Sequence, residues 1–60
     1  MIIEIHKTYL EETGDSLLDT WNVSDKYPIP NVGDYVQGKD CWNEHIQLRI
    51  FDGKIVKLYV

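Results

Sequence analysis

The sequence predicts a mostly β fold, a small five-stranded antiparallel sheet that ends in a C-terminal β-hairpin. Three observations support this fold class. Apolar and polar residues alternate in "IIEIHKTYL" and "KIVKLYV" near the two ends, β-branched and aromatic residues dominate these stretches, and Gly, Asp and Pro clusters separate them. With only 60 residues, the chain is predicted to be one domain spanning 1–60.

The small size implies a need for additional stabilisation. A domain of this length buries only about 60% of the surface that its unfolded chain exposes, so disulfides, metals or self-association often add stability. Cys41 is the only cysteine, which excludes a disulfide within one chain and fits a reducing compartment. The N-terminal segment contains Glu4, His6 and Lys7 and does not resemble a signal peptide. A cytoplasmic location is therefore predicted.

The first segment, "IIEIHKTYL", is predicted to be a strand with Ile3, Ile5 and Tyr9 facing inward. The polar stretch "EETGDS" that follows has the composition of a turn or short loop. The first strand is therefore predicted to end before this stretch.

The segment "SLLDTWNV" is compatible with a strand or with a single helical turn capped by Ser16 or Asp15. The strand is favoured because Thr20, Trp21 and Val23 prefer a pleated backbone. In that strand Asp19 falls among inward-facing apolar residues, and Trp21 is predicted to anchor the core.

The stretch "SDKYPIPNVGDYV" combines an irregular loop with the start of a strand. Pro28 and Pro30 remove backbone donors and favour extended conformations. The residues 31–34 supply turn chemistry before a short strand with Tyr35 and Val36.

The run Pro30-x-x-Gly33-Asp34-x-Val36 resembles the loop-to-strand entry of small SH3-like barrels. This resemblance implies a partly open barrel as the alternative form of the predicted sheet. SH3-like barrels bind peptides, nucleic acids or other copies of themselves, so the resemblance leaves the function open.

The last two strands, "EHIQLRIF" and "KIVKLYV", are predicted to form a hairpin whose register depends on its loop. A two-residue Asp52-Gly53 loop would mix apolar and polar residues on both faces. A three-residue loop, Asp52-Gly53-Lys54, is favoured because it places the apolar residues of both strands in one inward-facing row. That row comprises Ile46, Leu48, Ile50, Val56, Leu58 and Val60.

The opposite face of this hairpin is predicted to carry the functional site. With the three-residue loop, Phe51 lies opposite Ile55, and Arg49 lies opposite Lys57 on a face that also holds Tyr59. Burying two or three such side chains is worth roughly 1.5–3 kcal/mol each. We therefore predict a protein–protein interaction module that forms a homodimer through Arg49, Phe51, Ile55, Lys57 and Tyr59, with Trp42 as a further contact. Alternatively, a closed barrel or the N-terminal strand covers this face and makes it core.

Two other functions compete with this prediction. A nucleic-acid-binding barrel would use Arg49, Lys54 and Lys57 with Phe51 and Tyr59, although a net charge of −4 opposes binding to phosphates. An acidic inhibitor of a host protein, of the phage or mobile-element type, would use Glu11, Glu12, Asp15 and Asp19.

No stretch of the sequence predicts catalysis or a cofactor. Cys41 and His45, with His6 elsewhere, are too few for a structural zinc site unless a carboxylate completes it. Asp40 and Glu44 lie on either side of Cys41 in the sequence, and neighbouring negative charges are expected to disfavour the thiolate that a cysteine nucleophile needs. We therefore predict that the chain is not an enzyme and that it binds neither a metal nor a cofactor.

Overall fold

The computed structural model describes residues 1–7, 17–39 and 42–60, and confirms a mostly β fold. The predicted turn at 11–16 and the inward position of Tyr9 lie outside the described residues. The strands are β1 (Ile2–His6), β2 (Leu17–Asn22), β3 (Tyr35–Val36), β4 (Glu44–His45), β5 (Leu48–Asp52) and β6 (Ile55–Tyr59). None of the described segments forms a helix with the length and hydrophobicity that crossing a bilayer would require.

Four of the strands form one mixed sheet in the order β2-β1-β6-β5, and β3 pairs with β4 in a separate two-stranded sheet. β1 and β6 are parallel, whereas the other pairs are antiparallel. The prediction of one five-stranded antiparallel sheet is therefore wrong in strand number and direction. The predicted strand 44–51 is two short strands, and the described strands do not close into a barrel.

The core lies between the middle of the large sheet and the small one. The central strands β1 and β6 direct alternate side chains to this side, as the period of two requires. The inward positions predicted for Ile3 and Ile5 are confirmed, since both are fully buried. The buried residues of the core are Ile3, Ile5, Val36, Ile46, Val56, Leu58 and Val60.

β2 is a strand, as predicted, but its register shifts against β1. Ile5 pairs with Asp19 and His6 pairs with Leu17, so Leu18 is an extra residue in the ladder. The shift turns Leu17 to the same face as His6, away from the core, while Asp19 stays on the core side. Trp21 is half-buried against the core and is thus not a fully buried anchor.

The turn predicted at residues 31–34 is confirmed. The backbone N–H of Asp34 donates to the carbonyl of Asn31, and the Asp34 carboxylate accepts from the Asn31 N–H at 2.8 Å. Gly33 has a φ of 97°, which a residue with a Cβ rarely adopts. Backbone hydrogen bonds from Gly33 to Ile46 and from Ile46 to Asp34 fasten this turn beside the start of the last hairpin.

Candidate interaction surface

The turn between β5 and β6 differs from both predicted alternatives. Asp52 pairs directly with Ile55, so the loop consists of Gly53 and Lys54. Only Gly53 of these two has a positive φ, 63°, which is the signature of a type II′ turn. The predicted three-residue loop is therefore wrong, and Phe51 lies opposite Val56 instead of Ile55.

A second irregularity lies at the start of β5. Leu48 is the register partner of Tyr59, yet the N–H of Gln47 also donates to the Tyr59 carbonyl, at 2.7 Å. Two residues thus face one, as in a β-bulge. The bulge leaves Ile46 buried but turns Leu48 and Ile50 to the outer face. The prediction that Ile46, Leu48 and Ile50 form one inward row is wrong for the last two.

The outer face of β5 and β6 carries a patch that we call the hairpin surface. It consists of Leu48, Ile50, Ile55, Lys57 and Tyr59, which the register places on one side of the sheet. Leu48 is 49% exposed and Ile50 is 41% exposed, although both are large aliphatic residues. Three of the predicted site residues, Ile55, Lys57 and Tyr59, belong to this surface.

Leu48 and Ile50 together form what we call the aliphatic strip. The charged and aromatic side chains around this strip contact one another. The Lys57 ammonium lies 3.5 Å from the Asp52 carboxylate, and the His6 ring lies 3.0 Å from the Glu4 carboxylate. The His6 ring also stacks on Tyr59, with 5.1 Å between ring centroids. Because these groups contact one another, Leu48 and Ile50 form the most apolar part of the surface.

Arg49 and Phe51 lie on the opposite face of the hairpin from Ile55, Lys57 and Tyr59. The Arg49 guanidinium donates to the carbonyl of Pro30 at 3.1 Å and to Oδ1 of Asn31 at 2.7 Å, and it lies 5.2 Å from the Phe51 ring centroid. Phe51 is nevertheless 61% exposed. The predicted opposition of Arg49 to Lys57 is wrong, because Arg49 pairs with Leu58 and Lys57 with Ile50. Arg49 therefore attaches the 30–31 segment to the sheet.

Trp42, predicted as a further contact residue, is 75% exposed and lies outside the core. It precedes β4 rather than the hairpin, and Asn43 beside it has a φ of 55°. The small sheet also exposes Tyr35, whose ring lies 4.0 Å from that of His45. Trp42 belongs to the chain segment that enters the small sheet and is not a member of the hairpin surface.

Asp19 is the acidic residue with the most internal contacts among those described. Its carboxylate accepts hydrogen bonds from the N–H of Lys39, from the indole of Trp21 and from the N–H of Thr20, at 2.8–2.9 Å. These bonds lower the pKa of Asp19, with the Lys39 N–H as the largest cause. The carboxylate is thus engaged within the fold. The other acidic residues of the predicted inhibitor site, Glu11, Glu12 and Asp15, lie outside the described residues.

Within residues 1–7, 17–39 and 42–60, no three His, Cys, Asp or Glu side chains gather where a metal could bind. Cys41 and Asp40 of the considered zinc set lie outside these ranges. His6 and His45, the other candidate ligands, contact Tyr59 and Tyr35 respectively.

Among the described residues, the hairpin surface is therefore the best candidate for an apolar contact site. Leu48 and Ile50 were predicted to face inward, because a three-residue loop and an uninterrupted strand 44–51 were expected, whereas the loop has two residues and a bulge lies at Gln47. A search of family models, of curated proteins and of solved structures finds no significant match to this chain.

Proposed function

We propose that this chain is a non-enzymatic protein-interaction module that self-associates through the hairpin surface. The observation that carries the proposal is the exposure of Leu48 and Ile50 as neighbours on the outer face of β5. Isolated apolar residues are common on protein surfaces, but an apolar row on an edge strand is typical of a contact site.

The size of the domain supports the same conclusion. A small domain leaves a large share of its apolar surface in water, and association is one way to bury more of it. More complete burial of Ile50 and Leu48 in a dimer would remove apolar surface from water. This transfer stabilises the dimer by about 25 cal/mol per Å² of apolar surface.

The nucleic-acid alternative has weaker support from the geometry. Its basic and aromatic residues are divided between two faces, since Phe51 and Arg49 lie on the core side and Lys57 and Tyr59 on the outer side. Arg49 and Lys57 also contact Asn31 and Asp52. A stacking platform needs its cations and rings on one side.

The test is the molar mass of the protein in solution, measured by light scattering over a concentration series. We expect the apparent mass to rise from 7.1 kDa towards twice that value. Ile50→Lys should remain at the monomer mass, because it places a charge in the aliphatic strip. Asn22→Lys is the matched control, since Asn22 is exposed on the outer face of β2 and the charge change is identical. A wild-type protein that stays monomeric at millimolar concentration would contradict self-association.

A further inference from the structure

The large sheet has two edges of different character. β2 forms one edge and presents Asp19, Thr20 and Asn22 along it. β5 forms the other, and among the described residues it has a strand neighbour, β6, on one side only. Along β5 the apolar Leu48, Ile50 and Phe51 are all more than 40% exposed. Edge strands with this composition pair readily with another strand, whereas charged and polar edges resist pairing.

The turn determines which backbone groups of β5 point to the open edge. In a two-residue hairpin the closing pair, here Asp52 and Ile55, exchanges both of its hydrogen bonds, and the pairs then alternate along the ladder. Leu48 and Ile50 therefore direct their backbone groups towards β6. Arg49 and Phe51 direct their N–H and C=O groups away from the sheet, towards the open edge.

We propose that β5 pairs with β5 of a second copy, antiparallel, with the two-fold axis at Ile50. This inference rests on the proposed self-association and narrows the contact to the β5 edge of the hairpin surface, so Ile55, Lys57 and Tyr59 on β6 lie outside it. In this register Arg49 lies opposite Phe51 of the second copy, and each such pair exchanges two backbone hydrogen bonds. The two sheets then form one continuous sheet across the axis.

Symmetric registers with the two-fold axis at Arg49 or at Phe51 match the outward-pointing backbone groups and the side chains less well. An axis at Arg49 places two guanidiniums directly opposite each other, and like charges so placed are destabilising. An axis at Phe51 pairs Arg49 with Gly53 in the turn, outside the strand. Only the axis at Ile50 matches both residues with outward-pointing groups to each other.

Side chains are complementary in the same register. The two Ile50 residues meet at the axis as a non-hydrogen-bonded pair, the closer of the two antiparallel arrangements. Within one chain the Arg49 guanidinium lies 5.2 Å from the Phe51 ring centroid. In the dimer Arg49 is also a cross-strand neighbour of Phe51 of the second copy, which allows a second cation–π contact. The edge is short, so the area buried is at the low end for specific interfaces and the dimer is concentration-dependent.

Single-cysteine variants in a Cys41→Ser background test the register. A disulfide needs Cα atoms about 4.4–6.8 Å apart. Ile50→Cys should therefore link to itself under mild oxidation with copper phenanthroline. Leu48→Cys should not, because two Leu48 residues are about 13 Å apart along the strands. A mixture of Leu48→Cys and Asp52→Cys should give a mixed dimer. Self-linking of Leu48→Cys at the rate of Ile50→Cys would overturn the register.

Comparison of Phe51→Pro with Phe51→Ala tests the backbone bonds. Both remove the ring, but only proline also removes the outward N–H, and edge strands accept proline at such positions. We expect Phe51→Pro to dissociate about tenfold more readily than Phe51→Ala, since two hydrogen bonds per dimer are lost. Equal dissociation of the two, with a dimeric wild type, would overturn edge pairing and leave the proposed function standing. A monomeric wild type would overturn both.

Discussion

Asp19 shows how one polar residue joins separate parts of the chain. Its carboxylate contacts Trp21 on its own strand and the backbone of Lys39, twenty positions away. In the predicted strand, Asp19 falls among inward-facing apolar residues. These hydrogen bonds explain how the fold accommodates a carboxylate at that position. The prediction of a strand was sound at this residue, but single-strand patterning cannot identify a donor that comes from another part of the chain.

The depressed pKa of Asp19 predicts a specific dependence of stability on pH. A folded-state pKa below the unfolded value, 3.8, means that the stabilisation is present above that value and is lost as pH falls through the lower folded pKa. Asp19→Asn should destabilise the fold by about 1–2 kcal/mol at neutral pH, because an amide cannot accept all three bonds equally well. The measurement is urea unfolding of both proteins between neutral pH and pH below 3.8.

The difference in unfolding free energy between wild type and Asp19→Asn should shrink as the medium becomes more acidic. Asp25→Asn is the control, because the Asp25 side chain is 92% exposed and its contact is with the amino group of Met1. A difference that stays constant with pH would show that the Asp19 contribution is not due to its charge.

Arg49 illustrates a limit of sequence reasoning at the residue scale. Its charge and its place beside Phe51 predicted an exposed contact residue. Instead the guanidinium binds the carbonyl of Pro30 and the side chain of Asn31. Nothing in the local sequence indicates that the proline-containing loop returns to this strand, so the contact is visible only in the folded chain.

At the scale of elements, two single-residue irregularities decide which residues face water. The bulges near Leu18 and near Gln47 each reverse the side-chain alternation of one strand. Both occur where a strand pattern looked continuous in the sequence. The existence of the strands could be predicted from alternation, whereas their faces could not, because a bulge leaves no compositional signal.

The type II′ turn predicts the effect of substitutions at Gly53. A Cβ at this residue would meet nothing within 4 Å, so the only cost is the positive φ. Gly53→Ala should destabilise the protein by about 1 kcal/mol, and Gly53→Asn by less, because asparagine occurs at positive-φ turn positions more readily than alanine. Urea unfolding compares the three proteins. Equal stability of all three would contradict the turn assignment.

At the scale of the molecule, the proposed self-association would link stability to concentration. If only folded chains pair, a dimer stabilises the fold by mass action. The melting temperature of the wild type should therefore rise with protein concentration over a hundredfold range, measured by circular dichroism. That of Ile50→Lys should stay constant over the same range. A wild-type melting temperature independent of concentration would contradict pairing.

The mostly β class and much of the inward row could be predicted from the period of two, because each depends on local pattern. Ile3, Ile5, Val56 and Leu58 are buried as predicted. The parallel pairing of β1 with β6 could not be predicted, since no local signal specifies which distant strand fills the centre of a sheet. Of the predicted contact residues on this hairpin, Ile55, Lys57 and Tyr59 lie on the hairpin surface, whereas Arg49 and Phe51 lie on the opposite face.

The parallel pairing of the first and last strands also has a consequence for synthesis on the ribosome. Ile2 pairs with Ile55, and β6 supplies the central neighbour of β1. A nascent chain therefore lacks the middle of its sheet until β6 has left the exit tunnel, and the earlier strands wait with their apolar sides uncovered. Contacts between such distant residues also slow folding. Folding of this domain is thus expected to begin only after β6 has left the tunnel.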